Sequence, residues 1–342
     1  LTRPEPMRET LLLTMGDVCG IGPEIVAAAW RAASDARLCL VGDVGVMRRA
    51  LAWRGLSLPV ARLESPAELS RVPPDCLPVW QPADLPAGLL DCPIGRVDAK
   101  AGAAAAACIT AAVQAIQAGQ AGGLVTAPIH KEALHAAGVT FPGHTEMLQS
   151  LAAQGGALMP VRMMLANEEL RTVLVTIHCS LRQAIDQISR DSVLQTLRIS
   201  DAALRRFGIS RPRIAVAGLN PHAGEGGLFG DEEILHIAPA IAAARSEGIE
   251  ASGPYAPDTV FMRARNTPEH PGEFDLVVAM THDHGLIPVK YLGVEQGVNV
   301  TLGLPFVRTS PDHGTAFDIA GSGRADPASM GAAIRMARRL LA

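Results

Sequence analysis

Three histidines follow three predicted buried strands, at positions that suit metal chemistry. The apolar run Leu276–Met280 stops at the sequence THDHG, which contains His282, as a strand buried on both faces would stop at its carboxyl end. His178 ends a similar segment, and His222 lies just after another. Carboxyl ends of neighbouring parallel strands meet at one edge of a sheet, so the three imidazoles could converge there. Three protein ligands with an open fourth position are typical of catalytic zinc sites.

Each of these histidines also has a purely structural interpretation. A single histidine near a strand end is more often a hydrogen-bonded structural residue than a ligand. The spacing of the three is also unlike a local metal motif such as HExxH. The residues alone therefore leave a shared metal site and three structural histidines as open alternatives.

A second cluster precedes another predicted helix. In the sequence FPGHTEML, His144 and Thr145 follow a Pro-Gly turn, and Thr145 could simply cap the helix. In the functional interpretation, both side chains present donors at a helix N-terminus, which is a natural place for a phosphate or a carboxylate. His130 and Lys131 follow another predicted strand and are weaker candidates, because a lysine at a helix start is commonly just solvated.

The elements that must position these residues alternate between strands and helices. Strands are predicted at Thr10–Met15, Arg37–Val41, Gly122–Thr126, Arg171–Ile177, Arg213–Ala217 and Phe274–Met280. Helices are predicted at Ile21–Ala33, Val97–Gly119, Asp191–Phe207, Glu232–Glu247 and Ala328–Leu341. This alternation predicts an α/β fold with mostly parallel sheets flanked by helices, and the proline-rich stretch Ala67–Pro93 is predicted to be a loop-rich insertion.

The glycine-rich segment MGDVCGIGPEIV follows the first predicted strand and opens a helix. It lacks the GxxxxGK[ST] lysine of a P-loop and the GxGxxG spacing of a Rossmann fingerprint. Any dinucleotide bound by this protein is therefore expected to bind in another manner.

Composition narrows the class of protein. The 342 residues carry a net charge of −4 with no basic excess, which disfavours nucleic-acid and membrane-surface binding. No apolar stretch looks long and charge-free enough to span a bilayer, and the first four residues, LTRP, include no apolar segment of signal-peptide type. Six scattered cysteines without a CxxC pair disfavour a zinc ribbon and a disulfide framework. A reduced, cytoplasmic enzyme is the prediction.

Taken together, the motifs resemble the 4-hydroxythreonine-4-phosphate dehydrogenase family of vitamin B6 synthesis. The resemblance runs nearly end to end and is carried by TMGDVCGIGPEI, TAPIHKEAL, FPGHTEML, LNPHAGEGGLFGDEE, GPYAPDTVF, HDHGLIPVK and GVNVTLGLPFVRTSPDHGTAFDIAG. It implies the fold of the isocitrate and isopropylmalate dehydrogenases, with two α/β domains and a cleft between them. The first domain would comprise residues 1–135 and 300–342, and the second residues 136–299. It also implies a homodimer with its site at the subunit interface, to which both chains can contribute ligands.

The resemblance assigns roles to individual residues. The divalent-metal ligands, for Zn, Mg or Co, would be His178, His222 and His282. The substrate-binding residues would be His144, Thr145, Lys290, Asn299 and Arg308. The segment DHGTAFDIAGSGRADP looks like the nucleotide-wrapping loop of isopropylmalate dehydrogenases, which places NAD or NADP against His313, Gly314, Thr315 and Asp318. Asp283 would be a partner of His282 or a local cap, Lys290 would return to the same edge after a short loop, and no general base is identified.

The implied reaction is the NAD(P)-linked oxidation of 4-phosphooxy-L-threonine to a 3-keto acid, which then loses CO2 to give 3-amino-2-oxopropyl phosphate. Related enzymes suggest the same chemistry on D-erythronate or D-threonate 4-phosphate, or on a dihydrodiol dicarboxylate.

Two positions depart from the family pattern, with Val18-Cys19 for Pro-Ala and His284 for Gln. His284 would put another imidazole beside His282 and could alter metal affinity or substrate choice.

Two other functions are less favoured. An acyl-phosphate transferase needs no such metal site, and a non-catalytic binding protein needs no nucleotide loop.

Overall fold

The structure is a computed structural model that describes residues 9–33, 35, 37–141, 143–153 and 156–341. Residues 1–8, where a signal peptide was judged absent, lie outside the described part, as do Pro142 of the FPGHTEML motif and Ala342 at the end of the predicted first domain. The described chain divides into two compact units. The first comprises the described residues of Leu1–Met159 and Leu304–Ala342, and the second comprises Pro160–Gly303.

The strands are short and mostly buried. They are β1 Leu11–Thr14, β2 Leu38–Val41, β3 Val60–Leu63, β4 Leu77–Trp80, β5 Gly123–Thr126, β6 Arg162–Ala166, β7 Arg171–Leu174, β8 Ile214–Ala217, β9 Ala251–Tyr255, β10 Leu276–Ala279, β11 Val298–Leu302 and β12 Val307–Pro311. The helices are α1 Gly22–Ala33, α2 Val44–Trp53, α3 Ala99–Gln117, α4 Lys131–Ala136, α5 His144–Ala153, α6 Leu181–Gln187, α7 Arg190–Arg206, α8 Ala238–Ser246, α9 Val260–Ala264, α10 His282–Tyr291 and α11 Ala328–Leu341. Short 3₁₀ turns occupy Pro66–Arg71, Leu89–Asp91 and Val294–Gln296, and a π-helical turn occupies Glu233–Ile237.

The first unit is built on a parallel sheet with the strand order β3-β4-β2-β1-β5-β12. The strands β1, β2, β5 and β12 are buried along their whole length. The mostly apolar composition of β1, β2 and β5 follows, because parallel strands covered by helices on both faces have no solvated side. The carboxyl ends of β1 and β5 lie side by side in this sheet, with Thr14 opposite Thr126.

The second unit is built on a mixed sheet with the strand order β11-β6-β7-β10-β8-β9. β6 runs antiparallel to both β11 and β7, whereas β7, β10, β8 and β9 are parallel to one another. The carboxyl ends of β7, β10 and β8 therefore meet at one edge, and these are the strands that precede the three histidines. The predicted α/β fold with mostly parallel sheets is confirmed.

All six predicted strands are present, each somewhat shorter than predicted, and the predicted helices are present too. The predicted helix Glu232–Glu247 is composite, since a π-helical turn precedes α8. The prediction for Ala67–Pro93 was partly wrong, because β4 lies inside this stretch and pairs with β2 and β3. The described residues of 136–159, assigned from sequence to the second domain, lie in the first unit, where α5 packs against α3. The domain assignment itself stays a prediction.

Helix α3 is long and apolar enough to cross a membrane by length and composition alone, which the sequence analysis did not expect. Most of α3 is buried inside the first unit. At Gly102 it approaches α4 so closely that an added Cβ would lie 2.0 Å from the carbonyl oxygen of Ala133. The core helix of a soluble protein passes the same test, so its composition is weak evidence for a membrane span.

Candidate functional site

Two of the predicted metal ligands lie together at the carboxyl ends of β7 and β10. The chain after β7 stays attached to the chain after β10, because Thr176 Oγ1 donates to the carbonyl oxygen of Met280 at 2.8 Å. The ring centroids of His178 and His282 are consequently 5.7 Å apart, with the ring planes tilted by 47°. Both side chains line an open cavity of about 500 Å³. The two imidazoles can therefore face one small ligand.

Asp283 fixes the orientation and the tautomer of His282. Its carboxylate oxygen Oδ1 lies 2.8 Å from His282 Nδ1. An ionised carboxylate only accepts hydrogen bonds, so this contact places the proton on Nδ1 and leaves the lone pair of Nε2 available. Of its two expected roles, Asp283 therefore has that of imidazole partner, the arrangement that usually supports a metal-binding histidine.

His222 lies on a loop after β8 with unusual backbone geometry. Residues 222–227 all have positive φ, including the non-glycine residues His222, Ala223 and Glu225, at a cost of roughly 1–2 kcal/mol for each non-glycine residue. His222 is exposed, and its ring lies 6.2 Å from that of Phe229. In the part of the chain that is described, no three His, Cys, Asp or Glu side chains are grouped closely enough to hold one metal ion. His178, His222 and His282 therefore do not converge within one chain. The position of His222 is set by the irregular loop after β8 and not by the end of the strand itself.

The helix α10 changes the expected positions of Lys290 and His284. Lys290 was expected to return after a short loop, but it lies in the last turn of the helix that His282 begins, about 12 Å further along its axis. His284 is half-buried, which lowers its pKa. It lies about 200° around the helix axis from His282, so it faces a different side of α10. The expected effect of His284 on metal affinity or substrate choice stays a prediction. Asn299 is half-buried on β11, opposite Leu165 of β6.

A buried cation occupies the sheet of the first unit. Arg308 lies in β12 with 3% of its surface exposed. It donates to Thr126 Oγ1 at the end of β5, from Nη2 at 2.7 Å and from Nε at 3.2 Å. Burial lowers the pKa of Arg308 to about 10, so the guanidinium keeps its charge at neutral pH.

A neutral imidazole and a helix N-terminus lie near this cation. His144 is the first residue of α5, and its Nε2 atom is buried with no hydrogen-bond partner among the described residues. Burial, and secondarily the charge of Arg308, keep the pKa of His144 well below its usual value. Thr145 is the second residue of α5, so its expected role as a cap is wrong. A positive charge beside a helix N-terminus is suited to an anionic group.

The proposed nucleotide loop rests on the glycine-rich turn after β1. Ile21 N donates to the carbonyl oxygen of Thr315 at 3.0 Å, and a Cβ on Gly20 would lie 2.8 Å from the same oxygen. Phe317 stacks on His130 with ring centroids 4.8 Å apart and planes 9° from parallel. The turn and the loop were quoted from sequence as separate motifs, and the structure places them in contact.

Glu24 attaches the far end of the loop to α1. Its fully buried carboxylate accepts hydrogen bonds from Gly321 N at 2.6 Å and Gly323 N at 2.9 Å. Glu24 was not predicted from the sequence, because an acidic residue in the first helical turn is common without any partner. Thr126 was not predicted either, since its only signal is a polar residue at the end of an apolar strand. Of the predicted cofactor residues, His313 Nδ1 contacts the carbonyl oxygen of Gly314 at 3.0 Å, Thr315 is buried and Asp318 is exposed.

Comparison with known proteins identifies the family. The sequence model described as pyridoxal phosphate biosynthetic protein PdxA matches residues 34–337. The chain belongs to the PdxA family. This PdxA-family chain is 54% identical to the 4-hydroxythreonine-4-phosphate dehydrogenase of Beijerinckia indica, covering 96% of this chain and 94% of that protein. It is 43% identical to the D-threonate 4-phosphate dehydrogenase of Pectobacterium atrosepticum, covering 98% and 100%.

A solved structure agrees with this assignment. The crystal structure of 4-hydroxythreonine-4-phosphate dehydrogenase from Klebsiella pneumoniae matches with a TM-score of 0.87 at 42% identity, covering 98% of each chain. The family resemblance inferred from the motifs is confirmed, and the chain is an oxidoreductase of the PdxA family. Membership of a dehydrogenase family implies a nicotinamide cofactor.

Proposed function

We propose that this protein oxidises the secondary hydroxyl of 4-hydroxythreonine 4-phosphate with NAD or NADP. The hydride passes to the nicotinamide, and the hydroxyl proton is released. The resulting 3-keto acid then loses CO2 to give 3-amino-2-oxopropyl phosphate, an intermediate on the way to pyridoxal phosphate. The observation that carries the proposal is the buried, charged Arg308 near the start of α5, in a chain 54% identical to an enzyme of that name.

Arg308 and the first residues of α5, His144 and Thr145, would hold one charged end of the substrate. Arg308 can offer a bidentate fork to a phosphate or a carboxylate, and the start of α5 offers backbone N–H groups. Thr145 and the neutral His144 would add hydrogen bonds without competing for charge. Lys290 and Asn299 remain predicted contacts, with Lys290 as a second cation for the other anionic group. Holding the charged ends fixes the position of the carbon that loses hydride.

The histidine pair fits a divalent ion. His282 has Nδ1 against the Asp283 carboxylate, and His178 lies beside it on the same cavity, so both imidazole rings can contribute to one ion site. We propose His222 as the third ligand, supplied by the second chain of a homodimer. An all-imidazole set suits Zn or Co better than Mg, which prefers oxygen ligands. When bound, such an ion supplies Lewis-acid stabilisation of negative charge on the substrate oxygens.

The substrate phosphate is expected to be needed for rate as well as for affinity. Dephosphorylated 4-hydroxythreonine should show a kcat/KM about 30- to 5,000-fold lower than the phosphorylated compound, which corresponds to roughly 2–5 kcal/mol for one lost charged contact. The measurement is NAD(P)H formation followed by absorbance. Equal kcat/KM values for the two compounds would remove the phosphate from the proposal.

D-threonate 4-phosphate is the second candidate substrate. It is favoured by the 43% identity to an enzyme named for it, over the full length of that enzyme. In the same assay we expect 4-hydroxythreonine 4-phosphate to give the higher kcat/KM. A higher value for D-threonate 4-phosphate would replace the first proposal by the second, and D-erythronate 4-phosphate and a dihydrodiol dicarboxylate complete the panel.

We further propose that the dinucleotide binds along His313–Asp318, and Glu24 provides a test. Glu24→Ala leaves the buried N–H groups of Gly321 and Gly323 without their acceptor, at about 1–3 kcal/mol. The KM for NAD(P)⁺ should rise about 5- to 150-fold, as measured by initial rates over a range of cofactor concentrations. Glu24→Gln keeps one acceptor oxygen and should have an intermediate effect. A Glu24→Ala enzyme with unchanged cofactor KM would contradict the assignment of the loop.

A further inference from the structure

The backbone segment that carries His222 needs support from outside itself. Six consecutive residues, 222–227, have positive φ, and three of these residues are not glycine. Non-glycine residues keep this conformation only where the surrounding structure imposes it. The His222 side chain is exposed and cannot supply that support through burial.

Glu233 supplies the support through its buried carboxylate. Its side chain is 3% exposed, and its Oε1 atom accepts hydrogen bonds from Leu219 N at 2.7 Å and Asn220 N at 2.8 Å. Its Oε2 atom accepts from the Asn220 side-chain nitrogen at 2.9 Å. Three donors from the two residues at the start of the loop thus converge on one carboxylate.

The same carboxylate lies directly against the backbone of the loop. A Cβ on Gly218 would lie 2.9 Å from Glu233 Oε1, and a Cβ on Gly224 would lie 2.8 Å from Glu233 Oε2. Ala223 N donates back to the carbonyl oxygen of Asn220 at 3.0 Å, so the held residues and the left-handed residues are directly connected. Glu233 begins the π-helical turn Glu233–Ile237, an element that often occurs at functional sites.

We infer that Glu233 is a positioning residue, which holds the His222 loop in the conformation that presents His222 to the metal ion. The inference rests on the proposed function, in which His222 is a metal ligand. Glu233 touches neither substrate nor ion in this role. It acts through the backbone of Leu219 and Asn220.

The test measures metal affinity and not only turnover. Full-length protein, stripped of metal by chelation, is titrated with Zn²⁺ alone by calorimetry, and NAD(P)⁺ binding is measured on the same samples. Glu233→Gln keeps one acceptor oxygen but replaces the other by an amide NH2 group, which can only donate and would face a donor of Leu219 or Asn220. We expect its Zn²⁺ affinity to fall about 10- to 100-fold, as is usual when a group that orients a ligand is lost, with NAD(P)⁺ affinity unchanged. Glu225→Gln, a neighbouring exposed residue of the same loop, is the control for the loss of one negative charge and should bind Zn²⁺ like the parent protein.

Two further variants, Gly224→Ala and His222→Ala, separate the possible outcomes of the test. Gly224→Ala places a methyl group against Glu233 Oε2 and should weaken Zn²⁺ binding by a different route, so it decides the matter if Glu233→Gln does not fold. His222→Ala separates the two proposals, because parent-like Zn²⁺ affinity in this variant would overturn the metal assignment itself. If His222→Ala loses Zn²⁺ while folded Glu233→Gln binds it like the parent, the positioning role is overturned. A Glu233→Gln protein that loses Zn²⁺ and NAD(P)⁺ affinity alike would show a general structural role and would also overturn it.

Discussion

Removal of divalent ions is expected to abolish NAD(P)H formation by this protein, and restoring Zn²⁺ or Co²⁺ should return it. The physical reason is that oxidation and decarboxylation both build negative charge on substrate oxygens, which the proposed ion would stabilise. Two of the proposed ligands already lie together, because His178 lies beside His282. Asp283 contacts Nδ1 of His282 and so orients its ring. The measurement is the initial rate after exhaustive chelation and after stepwise addition of one ion type. Full turnover by the chelated enzyme would disprove the metal proposal.

Removing a proposed metal-ligand histidine is expected to have the same effect as removing the ion. His222→Ala and His282→Ala should each lose bound metal and at least about 100-fold in kcat/KM, since even groups that only orient a ligand cost 10- to 100-fold when removed. His270→Ala, which removes an exposed histidine of the same unit, is the matched control and should keep both metal and activity. Retained metal in His222→Ala would show that this residue is a structural histidine, the alternative that the sequence left open.

Arg308→Ala is expected to lower kcat/KM for the phosphorylated substrate by about 30- to 5,000-fold, equivalent to roughly 2–5 kcal/mol for a broken buried charge pair. Arg308 is nearly completely buried, so little solvent screens its interaction with a bound anion. Arg308→Lys keeps a charge but loses the planar fork and should recover only part of the rate. Arg211→Ala, at a strongly exposed arginine, should leave kcat/KM unchanged. An Arg308→Ala enzyme with the parent kcat/KM would remove Arg308 from the substrate site.

Removing the charge of Arg308 is expected to lower activity without lowering the thermal stability of the folded protein. Burial lowers the pKa of Arg308, so folding disfavours its charged form, and at neutral pH this penalty is fully present. The penalty declines only above the folded-state pKa of about 10, where the unfolded chain binds more protons than the folded one. Arg308→Met, which keeps the side-chain length without the charge, should therefore unfold thermally at the same temperature as the substrate-free parent or higher. A clearly lower midpoint would show that Arg308 stabilises the fold.

Local patterns were sufficient for much of the fold. Strands such as Leu276–Ala279 and helices such as Ala328–Leu341 are set by runs and periodicities within a few residues, so they could be predicted from sequence. Local propensity failed where tertiary packing opposed it. Gly285 and Pro288 disfavour a helix, yet both lie inside α10, where Gly285 packs so closely on Leu174 that an added Cβ would lie 2.4 Å from that side chain.

The sequence by itself determined the alternating α/β pattern, the absence of Rossmann and P-loop fingerprints, the motifs of the PdxA family and the identity of the candidate ligands. These follow from residue types at short range. The tertiary structure alone decided which residues meet. Glu24 accepts a hydrogen bond from Gly323, which is 299 positions away in the sequence, and Arg308 donates to Thr126, which is 182 positions away. It also decided that His178 and His282 are neighbours, while His222 lies on a loop that begins beside the Glu233 carboxylate. Contacts at such separations depend on the register of the sheet and on buried hydrogen bonds, which no local pattern of residues encodes.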